Sequence, residues 1–427
     1  MNYWEVNKIL YSLINYERDK AKYQEFKLEK FKNFLKEISH PEEKLSNVIL
    51  IAGTKGKGST ATMLSNCLTA CGIKTGLFTS PHLLSWRERI RINNQMIPTR
   101  EFCEIFSNIL PLIKEHKLTF FETLTAIAFL YFLREKTEWT VLEVGLGGRL
   151  DATNVVSPRI AIITRIGFDH TELLGETLTA IAREKAGIIH PNSTVVTFHQ
   201  TPEVLAVIKK QAKENESKVV TENLIDRSSI RLNKFGSSFK MKGEEIPFFL
   251  PLLGAHQVEN VELVLAALSE IKREEKRVSW EKVREGLKRV YIPARCELIS
   301  SQPPIMIDCA HNPDSAFALK EVIEKILRKR ALFVFGVARD KKVEEMLEIL
   351  SPVGRYFFTQ ARHPRALPIE VLASYGKKLN LKFSAKKNVA QAIKTALANQ
   401  GKEILVITGS FYVVGEALRF LKHHPAQ

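Results

Sequence analysis

The sequence predicts an α/β protein of two domains, a larger one on a mostly parallel sheet followed by a smaller α/β domain. Three observations carry this. Short, unbroken apolar runs rich in valine and isoleucine read as strands buried on both faces. Stretches of helical period lie between them, and that alternation marks βαβ units. The series starts afresh after residue 297, and 427 residues are more than one core comfortably holds.

The elements follow in order. Residues 1–46 are charged and helical, with Ile9, Leu13 and Tyr16, then Phe31, Phe34, Leu35 and Ile38 at helical spacing, and Pro41 ends the section. Val48-Ile49-Leu50-Ile51-Ala52 is a buried strand with a glycine-rich loop directly after it. Residues 60–70 form a helix with Gly72 just past its end. Further strands are expected at 74–79, 141–144 and 160–164, separated by helices at 100–115, 121–135 and 176–186. The most apolar run, 119–133, is too short to span a bilayer and contains Glu122, so it reads as a buried helix. The second series has strands at 304–308, 331–335, 356–358 and 404–407, with helices near 314–328, 341–350, 367–378 and 388–399. Tyr291-Ile292-Pro293-Ala294-Arg295 is the expected linker, which divides the chain into 1–294 and 295–427. There is no internal repeat and no low-complexity segment.

Composition narrows the function classes. Hydrophobic content of 45% and charged content of 26% argue against a disordered chain. Lysine and arginine outnumber the acids, 63 to 47. Such a surface suits nucleic acid, an anionic membrane or a small anionic substrate. The charges form no basic tail, so a small anionic substrate is the simplest partner; a solvated, lysine-rich surface accounts for them equally well. Cys67, Cys71, Cys103, Cys296 and Cys309 form no CxxC pair and no zinc spacing, and the number is odd. This fits a reduced, cytoplasmic compartment. The first residues lack a basic region followed by an apolar stretch, so no secretory signal is expected.

The chemistry starts in Gly53-Thr54-Lys55-Gly56-Lys57-Gly58-Ser59, which lies between a strand and a helix, the setting of a phosphate loop. Glycines let backbone N–H groups face phosphate oxygens without a Cβ in the way. The helix N-terminus adds partial positive charge. Lys57 can reach the outer phosphates, and the Ser59 hydroxyl can ligate Mg²⁺. The strict G-x-x-x-x-G-K-[ST] pattern is not met, because Gly58 separates Lys57 from Ser59.

A series of longer motifs accompanies the loop. They are Thr79-Ser80-Pro81-His82-Leu83, the run from Leu142-Glu143-Val144 to Asp151-Ala152-Thr153-Asn154, Asp169-His170, and Glu184-Lys185-Ala186-Gly187. His256-Gln257-Val258-Glu259-Asn260, Asp308-Cys309-Ala310-His311-Asn312-Pro313 and Thr408-Gly409-Ser410 complete the set. In identity and order these resemble folylpolyglutamate synthase/dihydrofolate synthase, of the Mur ligase superfamily, from residue 48 to about 416. The resemblance implies a phosphate-loop NTPase domain followed by a smaller Rossmann-like domain. It implies ATP-dependent ligation of L-glutamate to folates, with dihydropteroate as a second acceptor. The alternative within the family is folylpolyglutamate synthesis alone.

It also assigns roles. Lys57 would hold the β- and γ-phosphates. Ser59, Ser80 and Glu143 would surround one Mg²⁺, and Glu143 and His170 a second. Lys185 resembles the family lysine carbamylated by CO₂, although a lysine in the last turn of a helix is also favoured by the helix dipole alone. Asn260, Arg295 and Asp308 match residues that grip the nucleotide. His311 and Ser410 match positions near the incoming glutamate, and Phe120, Phe121, Glu122 and Thr123 the pterin side. Arg149, Asp151 and Asn154 lie on a glycine-rich substrate loop. A monovalent cation is a further expected cofactor. The expected protein is a monomer with no nucleic-acid or membrane partner.

Two positions depart from the family pattern: Lys55 replaces a common asparagine and His190 a common lysine. The basic run Ser85-Trp86-Arg87-Glu88-Arg89-Ile90-Arg91-Ile92 reads either as a face for an anionic folate tail or as a surface salt-bridge ladder. Two rival readings remain. The 52 residues before Gly53 are too few for the uridine-nucleotide domain of a peptidoglycan ligase. A regulatory nucleotide-binding or nucleic-acid-binding protein rests mainly on the net charge of +16.

Overall fold

The structure is a computed structural model that describes residues 1–14, 28–198, 200–221 and 223–423. It divides into two compact units, one of residues 1–226, 240–248 and 259–290, the other of residues 227–239, 249–258 and 291–427.

The first unit opens with α1 (Tyr3–Ser12) and α2 (Leu28–Glu37). Val6, Leu10, Phe31, Phe34 and Leu35 are buried, as their helical spacing predicts, and Tyr16 lies outside the described residues. An eight-stranded sheet follows, built from β1 (Val48–Ala52), β2 (Thr75–Phe78), β3 (Ile90–Ile92), β4 (Gln95–Met96), β5 (Trp139–Glu143), β6 (Ile160–Ile163), β7 (Thr194–Thr197) and β8 (Lys218–Val220). The order is β4-β3-β2-β5-β1-β6-β7-β8. The pairs β2–β3 and β3–β4, at one edge, are antiparallel, and the others are parallel. All residues of β1, β5 and β6 are buried, which is why β1 and β6 read as unbroken apolar runs; β5 carries Thr140 and ends on Glu143. Joining them are α3 (Lys57–Ala70), α4 (Thr99–Glu115), α5 (Phe120–Arg134), the single turn α6 (Thr171–Leu174), α7 (Leu178–Ala186) and α8 (Pro202–Glu214). The Thr119 side chain accepts the Glu122 N–H while Glu122 accepts the Thr119 N–H, a reciprocal cap that fixes where α5 begins.

A three-stranded sheet comprises β9 (Ile225–Asn233), β10 (Gly236–Met241) and β11 (Phe248–Leu250). After it come α9 (Ala255–Lys272) and α10 (Trp280–Lys288).

The second unit carries a six-stranded sheet in the order β12-β13-β17-β14-β15-β16. Its strands are β12 (Glu297–Ser301), β13 (Pro304–Ile307), β14 (Ala331–Phe335), β15 (Gly354–Thr359), β16 (Phe383–Lys386) and β17 (Ile404–Thr408). All pairs are parallel except β12 with β13. Its helices are α11 (Pro313–Glu321), α12 (Val343–Leu350), α13 (Ile369–Lys378), α14 (Val389–Ala398) and α15 (Phe411–His423). The helix expected at 314–328 is α only to Glu321; its last turn, Val322–Leu327, is a π-helix.

In each sheet, taken by itself, the candidate site loops leave the carboxyl ends of the middle strands. The carboxyl ends of the adjacent parallel strands β5, β1 and β6 lead to Glu143, the glycine-rich loop and the 164–170 turn. Those of β13 and β17 lead to Asp308–His311 and Gly409-Ser410. Ligands of open α/β sheets bind at this edge.

Candidate active site

The loop after β1 is shaped by close neighbours. Gly53 has φ +148° and Gly56 φ +89°, and a Cβ would stand 1.8 Å from the Thr164 hydroxyl at the first and 2.1 Å from Asn260 Oδ1 at the second. No side chain fits at either position. The Thr54 and Lys55 N–H groups donate to the Arg165 carbonyl, at 2.9 and 3.2 Å. Thr54 Oγ1 donates to the Gly167 carbonyl at 3.0 Å, and the Gly167 N–H donates back to Thr54 Oγ1 at 3.1 Å. The loop is therefore tied to the turn that follows β6.

Helix α3 starts at Lys57, three residues before the predicted start at residue 60. Its first turn includes Gly58, where a Cβ would crowd the Glu143 carboxylate at 3.1 Å. The helix tolerates this glycine in exchange for a buried acid against its first turn.

Two lysines share one acceptor. Lys57 Nζ donates to the Gly53 carbonyl at 3.1 Å and Lys185 Nζ to the same oxygen at 2.9 Å. Lys185 does lie in the last turn of α7, but it is buried rather than solvated on the helix end. Burial first, and then the charge of Lys57, push its ammonium down to about 7.

Glu143 ends β5, is buried, and accepts the Ser80 N–H at 2.9 Å. Ser59, Ser80 and Glu143, three of the predicted metal ligands, are thus gathered about the start of α3. His170, the fourth, is the left-handed residue that opens α6, with the Asp169 carboxylate accepting its N–H at 3.1 Å.

The glycine-rich loop after β5 is organised by Asp151. Its Oδ2 accepts the N–H groups of Gly145 and Leu146, and its Oδ1 accepts the Thr153 N–H and hydroxyl. Burial raises the Asp151 carboxyl from its ordinary value, while these hydrogen bonds pull it back. Asn154 donates to the carbonyls of Arg149 and Gly187, and His190 meets its Oδ1 at 3.0 Å. Arg149 reaches outward and pairs with Glu184. Glu122 and Thr123 are fully buried, and Phe121 lies 5.7 Å from the Phe78 ring.

The basic run turns inward, which neither reading of it anticipated. Arg89 is buried, donates Nε–H to His82 Nδ1 at 3.0 Å and lies 5.1 Å from the Phe120 ring centroid. Arg87 and Arg91 donate to backbone carbonyls of Ile97 and Glu88. A planar guanidinium can stack on a ring and donate in plane at once, so it packs where an ammonium could not.

In the second unit Asp308 accepts the N–H groups of Cys296 and Ala310, each at 2.7 Å. Burial raises its carboxyl, against the lowering charge of Arg295. The Arg295 guanidinium carbon lies 5.5 Å from the Phe411 ring centroid. Burial, with the charge of Arg295, pushes the His256 imidazole down to about 4. His311 Nδ1 lies 2.8 Å from the Cys309 carbonyl, so Nδ1 is the donor and Nε2 the acceptor nitrogen. Ser410 Oγ donates to the Gly336 carbonyl at 3.1 Å and accepts the Val413 N–H, as a residue that starts a helix does.

These residues fit a magnesium nucleotide. The loop is a cradle that side chains at Gly53 and Gly56 would fill. Two serine hydroxyls and a carboxylate are the hard oxygen donors Mg²⁺ takes. Sequence reasoning gave Asp169 no role, although its carboxylate lies 3.3 Å from Lys55 Nζ. An ion pair across 114 residues leaves no spacing signal. All five cysteines are buried and unpaired. Among the described residues, no helix is long and apolar enough to cross a membrane.

Known proteins resemble this chain along most of its length. Residues 51–268 match the Mur ligase middle domain, and residues 294–411 the Mur ligase glutamate ligase domain. The dihydrofolate synthase/folylpolyglutamate synthase of Bacillus subtilis is 33% identical over 412 residues, covering 92% of this chain and 95% of that protein. The structure of Mycobacterium tuberculosis folylpolyglutamate synthase complexed with ADP superposes with a TM-score of 0.88 at 31% identity, over 99% of both chains. That of Escherichia coli FolC in complex with DHPP and ADP gives 0.83 at 29% identity, over 94% of both chains. The chain therefore belongs to the folylpolyglutamate synthase/dihydrofolate synthase family of ATP-dependent Mur ligases.

Proposed function

We propose that this chain uses ATP to join L-glutamate to folates, and to dihydropteroate as a second acceptor, through an acyl phosphate. The observation that carries the reading is the meeting of the glycine cradle, Glu143 and the Lys57–Lys185 pair at the carboxyl ends of three central strands. An acceptor carboxylate oxygen attacks the γ-phosphorus and ADP leaves. The glutamate amine then attacks the acyl carbon, and the tetrahedral intermediate expels phosphate and loses the amine proton. No covalent nucleophile is needed, so the chain acts by positioning and charge. Backbone N–H groups of residues 56–59 and the Lys57 ammonium take the phosphates. Asn260, Arg295 and Asp308 hold the nucleotide. Phe121, Glu122, Thr123, Arg149 and Asp151 shape the pterin side. His311, with Nε2 as acceptor, and Ser410 receive the glutamate and its proton.

Ser59, Ser80, Glu143 and His170 would hold two Mg²⁺ ions, which when bound offset the charge of the phosphates. An amine held down to about 7 has a substantial neutral fraction near neutral pH, and a neutral amine is what CO₂ carbamylates, so Lys185 is assigned as the carbamylated lysine. A monovalent cation completes the cofactor set. In this reading residues 1–294 carry ATP chemistry and residues 295–427 glutamate delivery, in a cytoplasmic monomer. The test is ADP formation with dihydropteroate and with tetrahydrofolate, each with and without L-glutamate. Glutamate-dependent ADP release is expected with both. Release with tetrahydrofolate alone reduces the activity to polyglutamylation, and release with neither overturns the proposal.

A further inference from the structure

Lys55 stands where the family commonly has asparagine, and its ammonium does not run out into solvent. Nζ lies 3.3 Å from Asp169 Oδ2, with the two side chains 26% and 19% exposed. The segments they join are already fastened by other bonds. Thr54 and Gly167 exchange two hydrogen bonds, and the Arg165 carbonyl accepts the N–H groups of Thr54 and Lys55. The ion pair is therefore not what brings loop and turn together. It sits at one end of a group of lysines that includes Lys57 and Lys185, both on the Gly53 carbonyl. At its other end Asp169 Oδ1 accepts the N–H of His170. A partly exposed pair of this kind has a small net worth. A polyphosphate offers the same ammonium several charged oxygens, and hydrogen bonds between charged partners are stronger than neutral ones.

We propose that Lys55 is an exchangeable cation. It pairs with Asp169, exchanges that carboxylate for the outer phosphates when nucleotide occupies the loop, and by moving releases its own hold on Asp169 beside His170. The proposal rests on the reading of residues 53–59 as a phosphate loop. Its consequence is that Asp169 competes with phosphate for Lys55. Removing the lysine weakens nucleotide binding. Removing the acid strengthens it, and does so while Lys55 is present. A pair with a purely structural role would weaken binding whichever partner was lost.

Titration calorimetry with ADP and AMP, in buffer containing EDTA, reads this directly. Lys55→Asn should weaken ADP about tenfold, the worth of a charged hydrogen bond, and change AMP far less. Lys55→Arg should recover most of that loss, because it keeps the cation. Asp169→Asn should tighten ADP about threefold, the worth of a partly exposed pair. In a Lys55→Asn background the same change should lose most of its effect. The inference is overturned if Asp169→Asn weakens ADP, or if its gain is as large without Lys55 as with it. If the unaltered chain binds no ADP at all, the phosphate-loop reading falls, and this inference with it. Normal ADP binding with equal Asp169→Asn effects in both backgrounds removes this inference alone.

Discussion

Glu143→Ala separates two jobs that one carboxylate performs. The side chain is 4% exposed, accepts the Ser80 N–H at 2.9 Å and faces Gly58 at the start of α3. Truncation removes a charged acceptor and leaves a backbone N–H without its partner, a cost of about 2 kcal/mol. At about 2–4 °C per kcal/mol in a domain of this size class, Tm falls by about 4–8 °C. Glu143→Gln keeps an acceptor oxygen for Ser80 but discards the charge, so its Tm should fall by less than half as much. Catalysis should not divide this way. Electrostatic groups aimed at a reacting centre are worth about 100-fold or more each, and both variants should lose at least that much. The assay is glutamate-dependent ADP release at saturating ATP, Mg²⁺ and folate, beside a thermal melt of each variant. Intact ADP release in Glu143→Ala would refute the metal assignment. Near-normal turnover in Glu143→Gln would show instead that the carboxylate merely braces the Ser80 loop.

Two further expectations concern buried groups. The Lys185 ammonium, held down to about 7 in the fold, titrates near 10.4 in an unfolded chain. Between those values the unfolded chain binds the extra proton, so stability rises with pH across the window, and the cost of the buried charge is fully present below it. Melting curves from pH 6.5 to 9.5, in buffer free of nucleotide and bicarbonate, should show this rise. Lys185→Met should flatten it, and equal slopes in the two proteins would contradict the account. Asp308→Ala strands the buried N–H groups of Cys296 and Ala310 and should cost about 2–4 kcal/mol. Urea unfolding measures that loss, and a change below about 0.5 kcal/mol would show that those two bonds are dispensable.

Strands buried on both faces announced themselves, as Val48–Ala52 and Ile160–Ile163 do, because nothing polar interrupts them. Strands without that protection went unread. β9 is mostly exposed or half-buried with no clean alternation, and β16, Phe383–Lys386, is only partly covered. Local propensity also misplaced the start of α3, since a glycine at residue 58 argues against helix until Glu143 is seen beside it. The candidate site residues could be named from the sequence because their motifs are long. What those residues touch was not. Arg89 folding back onto His82 and Phe120, and Lys55 reaching Asp169, depend on tertiary neighbours. The Thr119–Glu122 cap was written in the sequence as well, in a threonine and a glutamate at capping-box spacing.

Asp151 shows how a loop can be governed from beneath. Four hydrogen bonds converge on its two oxygens from Gly145, Leu146 and Thr153. Any substitution there unfastens the whole segment at once, so in a functional screen Asp151 would score like a substrate ligand even if substrate never met it. Arg149, two residues away and facing outward, can vary without that penalty. A lineage drifting toward a different acceptor would therefore be expected to vary at position 149 and to keep its aspartate at 151.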